Sequence, residues 1–497
     1  MMLNRSKSLS SPRAAVKHQR RAANAVAASL PRFVAAAVIA AACCGCDFFA
    51  APEAAAPTPP PTIPDSQRPP LRVAVSSRYG GLAESLERRW ATVSEQALEV
   101  VDADDLLSGQ RAQTDVWIMP AMTLATLVER GLVTPLPDAA GGPGRSAGGD
   151  AEAAPLGAAW LKSATYAQRL YGRPLGLSLI LAQPHLDADL RRMPVNAAET
   201  SSGGSTDGSA GMRRAVIVDW QRVASAAFGS LEHAYPPDEV DFFLAIAATE
   251  RPRAYEASLL FTELGFEPRL QEPWMIKSAA ATAAYLRRSG VAGDEDAAGG
   301  KGVVELRVGW GAEAAAVGAS GAAWLPLATP QAAGPSNAQQ EVAPENRAVA
   351  VAEVDIAKLA AVDGGHAPIV LLSASTRQSA RSLFFLKWFD EPGVIEAVAG
   401  ELPWVMPADA AAAEGSYRRT VLRLSDIREL PVAFAVPEAL KYREALLAEL
   451  RSLTEASGEG DAAAAMRRCA AAWEAITEEA GRGEQEAALA RSLGLDR

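Results

Sequence analysis

Cysteine and histidine are scarce, four of each in 497 residues, and they are dispersed along the chain. Metal centres and disulfide frameworks need convergent ligands at short spacings, so neither is expected, and no cofactor is implied. The chain also lacks a Gly-x-Ser-x-Gly elbow, a Gly-x-x-x-x-Gly-Lys-Ser/Thr phosphate loop and a His-Glu-x-x-His pair. The common hydrolytic and nucleotide chemistries therefore lack their local geometry, and no catalytic residue is assigned. His185, His233 and His366 stand singly, where a structural or surface role is the default. Acidic residues are missing from 1–32, although seven basic residues fall there, and the net charge of the whole chain is −11. The remaining body is thus more acidic than the total, which repels phosphates and excludes nucleic acid as a partner. No self-similarity with a period of 20–50 residues marks a solenoid or propeller.

Apolar residues make up 49% and charged residues 22%, the composition of an ordinary globular chain long enough for two large lobes or three smaller domains. Arg5, Lys7, Arg13, Lys17, Arg20, Arg21 and Arg32 precede an apolar run at 33–42. That run is too short to span a bilayer, which takes about 20 residues, and reads as the hydrophobic region of a signal peptide covering 1–42. It ends Ile39-Ala40-Ala41-Ala42-Cys43, which resembles the lipobox of bacterial lipoproteins and implies lipidation at Cys43, with Cys46 the alternative. Plain cleavage or an uncleaved anchor are the other readings, and all of them export the body. Eight prolines follow in 47–70. They favour an extended polyproline II tether, so 43–70 reads as anchor and spacer.

Beyond the tether, strands and helices alternate. The run 71–75 is β-branched and bounded by Ser76, Ser77, Gly80 and Gly81, and Leu82, Leu86 and Trp90 then repeat on one helical face. Further strands are expected at 98–101, 115–119, 175–181, 215–218, 304–310, 323–327 and 369–373. A helix from about 122 would be capped by Gly131. Other helices are expected at 238–250, 254–264, 278–289, 377–390 and 437–497. This is an α/β chain with a buried parallel sheet. The Gly-, Ser- or Pro-rich stretches 139–154, 200–211 and 331–347 read as surface insertions.

The order of these elements resembles an extracellular solute-binding protein of the family 1 type, the binding component of ABC importers. Five passages carry the resemblance: 71–90; Asp115-Val116-Trp117-Ile118-Met119-Pro120 with the segment 124–136; Tyr171-Gly172-Arg173-Pro174-Leu175-Gly176 with Leu179-Ile180-Leu181; 368–375 with its helix 378–389; and 469–495. The segment after Leu181 departs from the family in lacking Tyr-Asn. The resemblance implies a two-lobed periplasmic-binding-protein-like fold with hinge strands near 176–181, 308–312 and 369–375 and a helical C-terminus. Lobe 1 would comprise 71–178 plus 312–368, and lobe 2 would comprise 179–311 plus 369–497. It also implies that a small solute, with carbohydrate the leading class, is bound in the interlobe cleft without catalysis and delivered to an ABC-type permease. The protein would then be a lipoprotein of the bacterial cell envelope facing the periplasm or exterior, held at the membrane by its N-terminal lipid. A transport-independent sensor or display lipoprotein, and an exported enzyme on a two-lobed scaffold, remain alternatives.

Cleft residues in such an architecture come from loops at strand ends, where side chains leave the sheet and backbone N–H groups are free. This singles out Ser77, Arg78, Tyr79, Pro120, Ala121, Trp220, Trp274, Trp310, Glu313 and Trp404. Planar rings cover sugar faces, and charged groups fix hydroxyls. Trp90, Trp388 and Trp473 lie at helical spacing with other apolar residues and are expected in the core. Cys469 is expected to be a buried inert thiol, and the adjacent acids Asp104 and Asp105 a solvated face.

Overall fold

The computed structural model describes residues 68–107, 113–137, 158–184, 214–219, 238–251, 258–291, 306–309, 325–328, 351–355, 363–402, 405, 420–421, 424, 433–456 and 461–495. The signal peptide, Cys43, Cys46, nearly all of the tether, the three insertions, Trp220, Trp310, Glu313 and Trp404 lie outside the described residues.

The chain enters the first sheet through β1 (Leu71–Val75), whose alternating burial gives way to three consecutive buried residues. Helix α1 (Leu82–Val93) follows and buries Leu82, Leu86 and Trp90 on one face, as their spacing requires. Next come β2 (Leu98–Asp102), the short helix α2 (Ala103–Leu107) and the fully buried β3 (Val116–Pro120). Strands β2 and β3 flank β1 and run parallel to it, in register Val73↔Val100 and Val73↔Val116. The expected βαβαβ start is therefore present.

Helix α3 (Leu124–Glu129) leads to Gly131, whose φ of 65° lets the chain turn into β4 (Val133–Thr134). Helix α4 (Ala158–Ser163) precedes the short strands β5 (Thr165–Tyr166), β6 (Arg169–Leu170) and β7 (Gly172–Pro174). The expected strand 175–181 does not form as one: β7 ends ahead of it in the first sheet, 175–180 is a connection with a single bridge from Gly176 to Val405, and β8 (Leu181–Pro184) begins the second sheet. The intervening residues run beside the loop before the next sheet-crossing strand, with Leu175 N donating to Pro368 O at 2.9 Å and Gly364 N to Ser178 O at 3.0 Å.

The second sheet has the order β10-β8-β11-β9-β12, with β9 (Arg214–Asp219), β10 (Leu306–Gly309), β11 (Leu325–Ala328) and β12 (Val351–Asp355). Strand β12 was not anticipated. The chain then returns to the first sheet through β13 (Pro368–Ser373), buried along its whole length and antiparallel to β3, β4 and β7. The first sheet is thus mixed rather than parallel, because its last strand arrives from the other sheet and enters from the opposite end. Strand membership also departs from the expected division. Segments 325–328 and 351–355, placed with lobe 1, pair in the second sheet, while 368–373 pairs in the first. The return crossing falls between β12 and β13, ahead of the expected 369–375 hinge.

Helices α5 (Glu239–Glu250) and α6 (Pro273–Val291) pack together with the C-terminal helices α9 (Ala439–Glu455), α10 (Ala462–Ala480) and α11 (Arg482–Ser492). Helices α7 (Ser379–Trp388) and α8 (Pro392–Glu401) instead cover the first sheet. The expected helix 254–264 is not formed at 258–264. Gly265 and Phe266 adopt φ of 85° and 51°, which reverses the chain so that Phe261 bridges Pro268 and stacks on Phe266, ring centroids 4.2 Å apart. Phe261 also stacks on Trp473 at 5.0 Å, and this aromatic burial outweighs the local helical preference. Trp90, Trp388, Trp473 and Cys469 are buried, and burial pushes the Cys469 thiol well up. Among the described residues no helix is long and apolar enough to cross a membrane.

Candidate functional site

The parallel arrangement brings the C-terminal ends of β1, β2 and β3 to one edge of the first sheet. Antiparallel β13 adds its N-terminal end there, Pro368 lying opposite Pro120. Four connections therefore meet: the 3-10 turn Ser77–Tyr79, helix α2, the turn Ala121–Thr123, and the loop 363–367. Strand-end loops of this kind free side chains and backbone groups from the sheet.

The first three connections border a cleft of about 480 Å³, whose opposite wall is the start of α9. From the strand ends it receives Ser76, Ser77, Arg78, Asp104, Pro120 and Thr123, and from the helices Thr126, Arg130, Glu438, Lys441 and Glu444. Ser77 donates to Asp104 through its backbone N (3.1 Å) and its hydroxyl, joining the β1 and β2 ends. Arg130 Nη2 stands 3.8 Å from Glu438 Oε1 on the facing wall, where Lys441, one turn along from Glu438, holds Nζ 3.2 Å from Glu438 Oε2. Hydrogen bonding to Glu438 raises the Lys441 pKa. The cleft thus interleaves cationic donors, carboxylate acceptors and hydroxyls over an apolar floor that includes Met119 and Leu127. Such a surface can hold a neutral molecule rich in hydroxyl groups, since each hydroxyl both donates and accepts.

Beneath the cleft lies a buried ionic cluster. His366, 3% exposed, contacts Arg78 Nη1 through Nδ1 at 3.1 Å and Asp241 Oδ1 through Nε2 at 2.7 Å. Arg443, on α9, donates to Asp238 Oδ2 at 2.6 Å and Asp241 Oδ1 at 3.1 Å. Asp238 and Asp241 form a reciprocal cap at the start of α5. Burial alone would raise the Asp241 carboxyl, but the contacts with His366 and Arg443 hold it well below the usual carboxylate range. Asp238 moves the other way, raised by burial and by the Asp241 charge. The backbone of the 363–367 loop is fixed too. Gly365 has φ 74° and lies so close to Met122 that a Cβ there would come within 2.8 Å of the Met122 Cβ.

Of the residues expected from the sequence, Ser77, Arg78 and Pro120 come together on the cleft wall. Tyr79 does not line it. It is 1% exposed, donates its hydroxyl to His366 O at 2.7 Å, and burial raises its pKa. Ala121 lies in the adjoining turn and lines a separate small cavity. Trp274 is 9% exposed within the helical core, its indole N donating to Glu272 Oε2 at 2.6 Å. The strand-end rule suggested a cleft role, but the helix begins at Pro273, ahead of the expected 278, and the apolar face of α6 carries Trp274 inward. Asp104, expected on a solvated face, is a cleft residue instead, because it follows the β2 end as Arg78 follows β1. The strand-end rule that selected Ser77 would have found it. Arg130, Glu438 and Lys441 had no comparable signal, since long-range packing brings α9 across.

Among the described residues no cluster of three or more His, Cys, Asp or Glu side chains could hold a metal ion. No protein-family profile matches the chain, and no curated protein sequence does. Solved structures do. An ABC transporter solute-binding protein from Agrobacterium vitis with bound D-mannitol superposes with a TM-score of 0.51 at 13% identity, over 83% of this chain and 99% of that one. Another, from Agrobacterium radiobacter in complex with ribitol, gives 0.50 at 13% identity over 82% and 98%. The fold is therefore the two-lobed α/β fold of periplasmic binding proteins.

Proposed function

We propose that the chain is a non-catalytic binding protein for a small polyhydroxy solute, a sugar or sugar alcohol, held at the edge of the first sheet. The observation that carries this reading is the cleft itself: strand-end loops place Arg78, Asp104 and hydroxyl groups opposite Arg130, Glu438 and Lys441 around a space of solute size. The bound D-mannitol and ribitol of the two superposed proteins support the choice of ligand class. With a signal peptide, a lipid on Cys43 or Cys46 and a proline-rich tether, the protein would stand off a membrane of the bacterial envelope and hand its solute to an ABC-type permease.

The test is a thermal-shift and calorimetric series with D-mannitol, ribitol and maltose. A binding solute raises stability by mass action, about 2.7 kcal/mol at a hundredfold excess over Kd, and is recovered unchanged. Arg78→Ala should weaken that solute by about 10- to 100-fold, the loss of one hydrogen bond to a charged group at ~1.5–3 kcal/mol. Consumption of the solute would favour an enzyme, and full affinity in the variant would remove the site from this cleft.

A further inference from the structure

We propose that His366 is the positioning residue for Arg78: as the neutral Nε2–H tautomer it anchors the guanidinium at the cleft wall, and protonation of its ring releases that anchor. The inference rests on the cleft reading above and extends it to a residue that does not line the cleft.

The contacts assign the tautomer. A guanidinium has donors only, so the Arg78 Nη1 at 3.1 Å requires Nδ1 to be the acceptor, without a proton. The carboxylate of Asp241 accepts only, so Nε2 at 2.7 Å must donate. The opposite tautomer would set N–H against N–H toward Arg78 and lone pair against lone pair toward Asp241, keeping only the 3.3 Å approach of Arg443 Nη2 to Nε2. The imidazolium would satisfy Asp241 but turn a donor toward Arg78, with the Arg443 cation already beside the ring.

The ring cannot move aside to relieve this. Its backbone N donates to Ser178 Oγ at 3.0 Å, and its carbonyl accepts from Tyr79. Ser178 Oγ in turn donates to Asp363 Oδ1 at 2.6 Å, and Gly365 is wedged against Met122. The charged and titratable groups facing the histidine are Arg78 from the β1 end, Asp241 from α5, Arg443 from α9 with Asp238 behind it, and Asp363 and Tyr79 around its own loop. Arg78 is the one among them at the exposed cleft surface, so it is the group that yields when a proton enters. Binding of a hydroxyl-rich solute would then weaken as pH falls through the His366 titration.

The experiment uses the full chain labelled with ¹⁵N-histidine, which contains only His18, His185, His233 and His366. Two-bond ¹H–¹⁵N spectra at neutral pH should show His366 with a bare Nδ1 and a protonated Nε2. In Arg78→Ala the Nδ1 signal should shift, because the guanidinium that donates to it is gone. A protonated Nδ1 at neutral pH, or an Arg78→Ala spectrum identical to wild type, would overturn the proposal. Calorimetry with D-mannitol gives the second readout. Wild-type affinity should fall about tenfold once the spectra show both ring nitrogens protonated, while His366→Asn, which keeps an acceptor near the Nδ1 position but takes up no proton, should show a flat profile. A flat wild-type profile across the titration would also overturn it. Failure of D-mannitol to bind would count against the solute reading, whereas the spectra decide the tautomer and the Arg78 contact without any solute or folded Asn variant.

Discussion

Replacing Arg443 by methionine keeps most of the side-chain volume and removes the charge that pairs two acids. In the native structure Arg443 and Asp241 are 3% and 2% exposed at their side chains, and Asp238 is 26% exposed. Breaking a buried pair from one side costs roughly 3–5 kcal/mol, because the remaining charge is left in a poorly solvated place. Asp241 keeps its contact with His366, and Asp238 is partly wet, so the expectation is the lower end, about 3 kcal/mol at neutral pH. With a urea m-value of roughly 3 kcal/mol/M, the midpoint should fall by about 1 M. The pH dependence gives the sharper check. The folded Asp241 carboxyl lies below its unfolded value, so its contribution is present above the unfolded pKa and lost as pH falls through the folded one. Arg443→Met removes much of that depression. Asp238, raised in the fold, acts in the opposite sense and is relieved by acid. The gap between wild type and variant should therefore narrow from about pH 7 to about pH 4, as both carboxylates of the variant take up protons. Urea titrations followed by tryptophan fluorescence across that range measure it. A deficit under about 1 kcal/mol at neutral pH, or one independent of pH, would refute the account of this cluster.

Two further substitutions probe the frame of the site. Gly365→Ala should lower the melting temperature through about 1–3 kcal/mol of strain, since its φ of 74° and the 2.8 Å approach to Met122 leave no room for a Cβ; an unchanged melt would show that the loop is not so constrained. Trp473→Ala should cost about 3–5 kcal/mol in chemical denaturation, because it empties the space between Phe261, Phe434 and Tyr442 and removes the indole N–H that reaches the Tyr442 carbonyl at 2.8 Å; a loss below 1 kcal/mol would mean that the helices close over the void.

The amino-acid order alone determined the local elements and the class of fold. Apolar β-branched runs such as Leu71–Val75 and Val116–Pro120, and the repeat of Leu82, Leu86 and Trp90, carry their period in adjacent residues, so strand, helix and the first crossover follow from short-range chemistry. The strand-end rule then reached Ser77, Arg78 and Pro120. Tertiary structure decided the rest. It chose which sheet each later strand joins, sending Pro368–Ser373 to β3 in antiparallel register, a matter of pairing across more than two hundred residues. It turned Trp274 and Tyr79 inward, brought Glu438 and Lys441 across to face Asp104, and set His366 between Arg78 and Asp241. A lone histidine has no periodicity to betray its partners. What makes it a candidate anchor is the meeting of three distant segments in a place too dry to leave any charge without a counterpart.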